Sequence, residues 1–425
     1  MIILKFNLIH IYFWLIKNIY IPKLRFKGFD NNEIIFKNLD EIFLIKNGYT
    51  PSKRNKLFWE NGNIPWFRID DIRINGQILE DSLIKTTNIA INKKNLFKKN
   101  SIILSTTATV GIHALIKTDF LCNQQLTSFQ IKDEFNISHL FSFYHFYKIS
   151  NWCKKNIRST SFPCIEIKDL KKQLFWIPTI EEQNKIAKFF SLIDKQISLL
   201  ENKLQLIEQK LKYFINKLLK TYNGFPKIRF KGFNDIWMND YIKNIFTITR
   251  GLVIAKNKII KEGNEKFCYP VYSSQTENDG LMGYYNEYLY ENAITWTTDG
   301  AKAGTVNYRN QKFYCSNVCG VLLEKEYKPN LCFSLIIKGE SKKYVVKDLG
   351  NPKLMNNIMA KIKIYFPNQI EEQEKISHFL NLFKIQQKLI NNQLAKIKQK
   401  KEYFLKSMFI NSVQKGGGNY DRNSF

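Results

Sequence analysis

The sequence contains one long internal duplication, and this feature constrains the fold more than any other. Residues 22–29 read PKLRFKGF, and residues 226–233 read PKIRFKGF, 204 residues later. A second pair, IEEQNKI at 180–186 and IEEQEKI at 370–376, is 190 residues apart. A period of this length is too long for one unit of a solenoid. We therefore predict two whole domains that apply one mechanism to two different targets.

A heptad pattern of apolar residues follows each copy of the second motif. In the first copy, alternating steps of four and three residues continue without a break over residues 186–218. In the second copy they run over residues 376–408 and are interrupted only by Gln387 and Lys401. Such a seam is typical of a long coiled-coil helix. We predict that both stretches are long helices and that they pair as an antiparallel coiled coil. The two interruptions are interpreted as weakening the second helix or as marking the place where a partner subunit touches it.

The parts between these motifs carry mixed signals. A short amphipathic pattern ending at a glycine predicts a helix near the start of each copy. The predicted helices are Leu39–Lys46, before Gly48, and Tyr241–Thr249, before Gly251. Apolar runs such as Ser101–Ser105 and 293–296, separated by Gly and Asn turns, favour strands of a strongly bent sheet.

The predicted fold class is α+β, with two tandem α/β domains separated by two long helices. The predicted segments are an N-terminal extension (1–21), a first globular domain (22–178), a first spacer helix (179–222), a second globular domain (223–368), a second spacer helix (369–412) and a flexible tail (413–425). Polar and charged residues interrupt the apolar extension, so we expect no membrane partner. A membrane anchor remains the less favoured alternative.

Charge favours a polyanion as the partner. The chain has 65 Lys and Arg against 37 Asp and Glu, a formal net charge of +28. A protein that neutralises phosphates releases their counterions, which favours nucleic-acid binding. The alternative is a codon bias that enriches Lys and Asn in A·T-rich genomes. The seven cysteines form no metal-binding spacing, which indicates reduced thiols in a cytoplasmic protein.

Several short motifs, taken together, identify a family. The second copy has P-x-x-x-E-E-Q-x-x-I at 367–376. The first copy has the same motif at 178–186, with one residue fewer between the proline and the glutamates. Smaller signatures agree, among them GYTPSK at 48–53, TTATVG at 106–111 and TTDGAKAG at 297–304. With the duplication and the heptad helices, this arrangement closely resembles the DNA specificity subunit of type I restriction-modification systems. The resemblance covers about residues 22–412.

The resemblance implies a division of labour with other proteins. Each globular domain is expected to be a target recognition domain that reads one half of a split double-stranded DNA site. The helices are expected to space the two domains and to dock methyltransferase subunits, with restriction (motor-nuclease) subunits as further partners. No cofactor is expected on this chain. S-adenosylmethionine, ATP and Mg²⁺ are expected on the partner subunits.

Side chains that pair with base edges or phosphates are the candidates for DNA contact. The candidates in the first domain are Lys53, Arg54, Arg68, Arg73, Thr106 and Thr107. Those in the second domain are Arg250, Lys256, Tyr272, Ser273, Ser274, Gln275, Thr297, Thr298 and Lys302. For the basic residues the alternative is a solvated charged face, and for the threonines it is the end of a strand. Trp296 is predicted to belong to the core rather than to a stacking surface.

Catalytic motifs are missing from the sequence. It contains no Asn/Asp-Pro-Pro-aromatic motif for amino-methyl transfer and no G-x-x-x-x-G-K-[ST] loop for ATP. Glu166-Ile-Lys168 matches a nuclease-like E-x-K but lacks a convincing acidic partner upstream. The adjacent glutamates of the E-E-Q motifs are predicted to complement the helix macrodipole rather than to act as acid and base. A coiled-coil scaffold and a stand-alone DNA methyltransferase or nuclease remain the rival hypotheses.

Overall fold

The structure, a computed structural model, describes residues 22–29, 32, 35–91, 96–158, 161–274, 277–346 and 350–409. These residues form two units, which we call unit 1 (22–199 with 394–409) and unit 2 (200–393). The predicted N-terminal extension and flexible tail and the candidate Gln275 lie outside the described residues.

Unit 1 contains ten short strands, four short or medium helices and the first half of a long helix. The strands are β1 (Ile35–Asn38), β2 (Phe43–Asn47), β3 (Ile64–Phe67), β4 (Ile78–Leu79), β5 (Lys85–Thr86), β6 (Ser101–Ser105), β7 (His113–Ile116), β8 (Leu121–Cys122), β9 (Leu126–Ile131) and β10 (Leu174–Ile177). The helices are α1 (Leu39–Ile42), α2 (Ile69–Asn75), α3 (His139–Lys155), α4 (Ile167–Lys171) and the long α5 (Ile180–Leu218), which continues into unit 2.

A five-stranded sheet in the order β2-β9-β6-β7-β4 is the centre of unit 1. Successive side chains of a strand point to opposite faces, so alternate residues of β6 enter different cores. Ile102 and Leu104 join the core formed with α3 and the start of α5, whereas Ile103 joins a second core with β3 and β8. A smaller sheet, β5-β3-β8, covers that second face, and its strands β3 and β8 run parallel.

Unit 2 repeats this plan with a different sequence. Its strands are β11 (Thr221–Tyr222), β12 (Phe225–Pro226), β13 (Met238–Tyr241), β14 (Phe246–Arg250), β15 (Tyr269–Tyr272), β16 (Leu281–Tyr285), β17 (Ala293–Thr297), β18 (Val306–Arg309), β19 (Tyr314–Cys315), β20 (Cys319–Glu324) and β21 (Lys363–Phe366). Its helices are α6 (Ile242–Ile245), α7 (Leu331–Ser341), α8 (Asn356–Ala360) and the long α9 (Ile370–Met408), which ends in unit 1. The sheet β14-β20-β17-β18 matches β2-β9-β6-β7, and β16-β15-β19 again contains one parallel pair.

The two predicted amphipathic helices are wrong over their second halves. Helix α1 ends at Ile42 and α6 ends at Ile245, and a strand begins at the next residue in both units. Strand β2 pairs antiparallel with β9, and Phe43 packs against Phe129 with ring centroids 6.1 Å apart. Pairing with a strand about 80 residues away overrides the local helical period. The predicted strands at Ser101–Ser105 and 293–296 are confirmed, and Trp296 is buried in the core, 1% exposed.

Both long helices are confirmed. They begin one residue after the predicted spacers, at Ile180 and Ile370, and end at Leu218 and Met408, four residues before the predicted ends. The predicted seam positions are buried or half-buried, whereas off-seam residues such as Leu192, Leu199 and Leu206 are about half exposed. Within unit 1, the rings of Phe189 and Phe404 lie 5.0 Å apart, so the start of α5 packs against the end of α9.

Within unit 2, the end of α5 packs against the start of α9. The ring of Phe214 lies 4.9 Å from that of Phe379 and 5.6 Å from that of Phe383. These contacts have the order that an antiparallel pair requires. A coiled coil over the full length of the helices stays a prediction.

In each unit, the two duplicated motifs bind each other through an arginine–glutamate ion pair, which we call the clamp. In unit 1, Arg25 donates from Nε to Glu182 Oε1 at 2.8 Å and from Nη2 to Oε2 at 2.7 Å. In unit 2, Arg229 makes the same forked contact with Glu372, at 2.7 and 2.8 Å. The glutamate side chains are 0% and 1% exposed. Each opening motif therefore binds the first turn of the long helix in its own unit.

The glutamine of each E-E-Q motif is buried as well. Gln183 donates to the Pro178 carbonyl at 2.8 Å and accepts from the Ser138 backbone N–H at 2.9 Å. Gln373 donates to the Pro367 carbonyl at 2.8 Å. The macrodipole interpretation is incomplete, because the second glutamate and the glutamine mainly hold the globular part onto the helix.

Candidate nucleic-acid interface

The register of the central sheet in unit 1 brings three loops to one edge. Strands β2 and β6 both run antiparallel to β9, so their ends meet its beginning. The backbone N–H of Tyr49 donates to the Cys122 carbonyl at 2.7 Å, and that of Thr106 donates to the Gln125 carbonyl at 3.0 Å. We call the assembled loops, residues 48–55, 106–111 and 123–125, loop edge 1.

Gly48 permits this convergence. A Cβ atom at this position would lie far inside van der Waals contact of the Asn123 carbonyl oxygen. Gly251 occupies the same place in unit 2, against the carbonyl oxygens of Cys315 and Ser316. Both glycines stand at strand ends, so their prediction as helix stops is wrong. They are needed because two backbones approach closely there.

The candidates of the first domain lie in loop edge 1 or directly beside it. Lys53 and Arg54 lie in its first loop and are exposed. Arg68 directly follows β3, whose last residue accepts from the Asn123 N–H at 3.0 Å. Arg73 donates to Thr109 Oγ1 at 3.3 Å. Basic residues that are distant in sequence are therefore brought to the same edge of the sheet.

Two of these arginines also have structural roles. Arg68 precedes α2 as its N-cap residue, and its Nη1 lies 3.5 Å from Asp70 Oδ2. Arg73 Nη1 lies 3.9 Å from Asp70 Oδ1 and its side chain is 55% exposed. Asp70 neutralises part of the local charge, so Lys53 and Arg54 are the stronger phosphate candidates.

Burial corrects the assignment of Thr106. This residue is 3% exposed, and its hydroxyl lies 3.0 Å from that of Thr127 inside the domain. A hydroxyl satisfied in this way has no surface to offer a base. Thr107 is half-buried and stays a candidate. The alternative stated for Thr106, the end of a strand, fits its position directly after β6.

A corresponding surface, which we call loop edge 2, consists of residues 251–256, 298–304 and 316–318. The backbone N–H of Leu252 donates to the Cys315 carbonyl at 3.1 Å, and that of Thr298 donates to the Val318 carbonyl at 3.0 Å. Ser273 joins this edge, because its hydroxyl accepts from Ser316 Oγ at 2.9 Å.

The candidates of the second domain differ in accessibility. The exposed candidates are Lys256 and Lys302, and the half-buried ones are Arg250, Ser273 and Ser274. Thr297 is 6% exposed, and Thr298 is fully buried with its hydroxyl 2.9 Å from the Val318 carbonyl. Tyr272 is 8% exposed. The assignments of Thr297, Thr298 and Tyr272 as DNA-contacting residues are therefore wrong, because these side chains are buried and contribute to the structure of loop edge 2.

Sequence reasoning missed Arg309. Its guanidinium carbon lies 3.5 Å from the centre of the Tyr272 ring, and its Nη2 donates to the Asp279 carbonyl at 2.5 Å. It lines a cavity of about 210 Å³ together with Ser273 and Thr297. The only signal in the sequence was an arginine at the end of a short strand, which is too common to indicate a site.

Gln124 is a second polar residue of loop edge 1 that was not among the candidates. Its Oε1 accepts a hydrogen bond from the Thr50 hydroxyl, which ties the first loop of loop edge 1 to the third. A glutamine amide is well suited to bidentate pairing with adenine. The signal was the Asn123-Gln124 pair in the sequence.

The possible catalytic groups have structural partners. Glu166 of the E-x-K match accepts from Arg158, and its Oε1 lies 3.1 Å from Lys168 Nζ. Within the described part of the chain, no group of three or more His, Cys, Asp or Glu residues could hold a metal ion. All seven cysteines are free, and burial raises the pKa of the Cys319 thiol to about 11. Burial lowers the pKa of His113 to about 3.

No helix among the described residues is both long and apolar enough to cross a membrane.

Comparisons with known proteins agree on one family. A family model described as the type I restriction modification DNA specificity domain matches residues 31–209 and 234–399. The chain is 31% identical over 365 residues to the EcoprrI specificity subunit of Escherichia coli, covering 84% of this chain and 89% of that one. It is 38% identical over 178 residues to the MpnII specificity subunit of Mycoplasma pneumoniae, covering 41% and 52% of the two chains.

Solved structures show the same fold. The S subunit of a type I restriction-modification system from M. genitalium superposes with a TM-score of 0.64 at 18% identity, covering 92% of this chain and 99% of that chain. A chain from a study of complex assembly in the type I system has a TM-score of 0.54 at 15% identity, covering 91% and 100%. At these identities the likeness shows the fold alone.

Proposed function

Because this chain belongs to the family of DNA specificity subunits of type I restriction-modification systems, we propose that each of its units reads one half of a split double-stranded DNA site. The observation that carries this proposal is the pair of loop edges. They occupy the same place on two sheets of matching topology, but they are built from different residues. Equal placement with unequal side chains suits two different half-sites.

Recognition at each loop edge combines two kinds of contact. Exposed cations such as Lys53, Arg54 and Lys256 bind phosphates and position the duplex. Polar side chains in or beside these loops, such as Thr107, Gln124 and Ser274, pair with base edges. Each good bidentate base contact is worth about 1–3 kcal/mol of discrimination. The phosphate contacts supply affinity that falls as salt rises.

The chemistry belongs to partner subunits in this proposal. Specificity subunits are not catalytic, and the comparisons support neither a scaffold without nucleic acid nor a stand-alone enzyme. Methyltransferase subunits would bring S-adenosylmethionine, and restriction subunits would bring the ATP-driven motor and the Mg²⁺-dependent nuclease. The long helices α5 and α9 offer exposed faces outside the seam for docking these partners.

Exchange of one domain tests the split site. We expect that replacing residues 234–366 with the second domain of another family member changes only one half of the methylated sequence. The reason is that loop edge 2 lies wholly within the exchanged segment and loop edge 1 lies wholly outside it. Sequencing that maps methylated bases in a host carrying this chain and a methyltransferase subunit gives the answer. A change in both halves of the site contradicts independent reading.

A second prediction concerns Lys53 and Arg54. Replacing either residue with Ala is expected to weaken binding to all DNA sequences alike and to reduce the slope of log K against log salt by about 0.9. Fluorescence anisotropy with a labelled duplex at several KCl concentrations measures both quantities. Lys188→Ala is the matched control, because Lys188 is an exposed lysine on α5. If the slope of log K against log salt is unchanged for both variants, residues 48–55 do not contact phosphates.

A further inference from the structure

Lys401, which interrupts the apolar seam of α9, has its partners within unit 1. Its Nζ lies 2.6 Å from Asp194 Oδ1 on α5 and 3.2 Å from the hydroxyl of Tyr147 on α3. The side chain is 14% exposed and lies over the Tyr147 ring, 4.8 Å from its centre. The interruption therefore neither leaves a charge unpaired nor needs a partner subunit to explain it.

The ion pair belongs to a hydrogen-bonded chain that reaches the central sheet. Tyr144 donates its hydroxyl to Asp194 Oδ2 at 2.9 Å. Tyr147 donates to Gln77 Oε1 at 2.5 Å, and Gln77 Nε2 donates to the His113 carbonyl at 3.1 Å. Each polar group named in this network has a partner, so the half-buried charges of Lys401 and Asp194 are compensated. The end of α9 is thereby attached to both α5 and the sheet of unit 1.

The corresponding positions elsewhere in the seam do not carry this pair. Helices α5 and α9 begin at Ile180 and Ile370 and have 39 residues each, so residues 190 apart are equivalent. Leu211 of α5 corresponds to Lys401, and Lys384 of α9 corresponds to Asp194. The duplication is therefore broken at one matched pair of positions.

Because of this difference, the pairing of α5 with α9 forms an ion pair that the pairing of either helix with a second copy of itself does not form. In an antiparallel α5–α5 pair of the same register, Asp194 would lie beside Leu211 of the second copy. In an α9–α9 pair, Lys401 would lie beside Lys384 of the second copy. The first arrangement leaves a charge without a partner and the second brings two cations together. Charged or polar residues placed in a seam are known to determine partner choice and register.

We propose that Asp194 and Lys401 are a partner selector, which makes α5 pair with α9 and prevents two copies of this chain from joining through identical helices. A self-paired dimer would present the same recognition unit twice, whereas pairing of α5 with α9 keeps two different units on one molecule. The selector thus preserves an asymmetric DNA site.

Two single substitutions test whether Asp194 and Lys401 select the partner helix or only stabilise its packing. Both substitutions break the ion pair, but only one of them creates an attractive contact with a second copy of the chain. Lys401→Asp places a carboxylate where an α9–α9 pair supplies Lys384, so self-pairing becomes attractive. Asp194→Lys places a cation where α5–α5 supplies Leu211 and leaves the α9–α9 repulsion unchanged. We expect Lys401→Asp to double the molar mass of the purified full chain from 50.3 kDa, and Asp194→Lys to leave it unchanged.

Size-exclusion chromatography with light scattering measures the molar mass. The double variant Asp194→Lys/Lys401→Asp restores an ion pair of reversed sign within α5–α9 and is expected to return to the mass of one chain. Far-UV circular dichroism checks that the helices form. Equal masses for the two single variants, whether one chain or an aggregate, overturn the proposal. So does a wild-type chain that is already dimeric, or a double variant that stays dimeric.

Discussion

Replacing Arg229 with Met is expected to destabilise unit 2 by about 3–5 kcal/mol, because it leaves the Glu372 carboxylate buried without its partner. The Glu372 side chain is 1% exposed and both of its oxygens accept from this one guanidinium. Hydrogen exchange followed by mass spectrometry, read at β20 (Cys319–Glu324) across a urea series, reports the stability of this unit.

The matched control is the double variant Arg229→Met/Glu372→Met. It removes both charges and replaces them with flexible apolar side chains, so it is expected to recover most of the lost stability. Arg25 and Glu182 form the same clamp in unit 1 and should remain unaffected. If the double variant has the same free energy of unfolding as the single variant, the bidentate Arg229–Glu372 contact stabilises unit 2 by more than charge compensation.

Gly48→Ala is expected to destabilise unit 1 by about 3 kcal/mol, because the new methyl group overlaps the Asn123 carbonyl and must push the backbones apart. The same displacement would separate the loops of loop edge 1 and reduce sequence discrimination in the half-site that unit 1 reads. Stability is measured by hydrogen exchange at β9 (Leu126–Ile131), and discrimination by competition between specific and non-specific duplexes.

Gly339→Ala provides the comparison for this steric argument. Gly339 lies in α7, where a Cβ would meet no atom within 4 Å. Alanine in a helix is favoured over glycine by about 1 kcal/mol, so unit 2 should become slightly more stable. Equal losses for Gly48→Ala and Gly339→Ala would mean that the close backbone approach is not the cause.

Only part of the interface could be predicted from the sequence. Exposed lysines and arginines next to turns were found because charge and turn chemistry are local properties. Thr106 and Thr298 were assigned to DNA although they are buried, since a hydroxyl after a strand looks alike whether it faces solvent or the interior. Arg309 was missed because its contacts with Tyr272 and Asp279 join residues at least 30 positions away in the sequence.

The duplication, the two long helices and the family could be predicted from the sequence, since repeats, heptad periods and short motifs are patterns along the chain. The other features depend on contacts between residues that are distant in sequence. Strand pairing ended the predicted helices after Ile42 and Ile245. The E-E-Q glutamates acquired their role only when Arg25 and Arg229 reached them across 157 and 143 residues. The loop edges likewise exist only because antiparallel register brings the ends of three strands together.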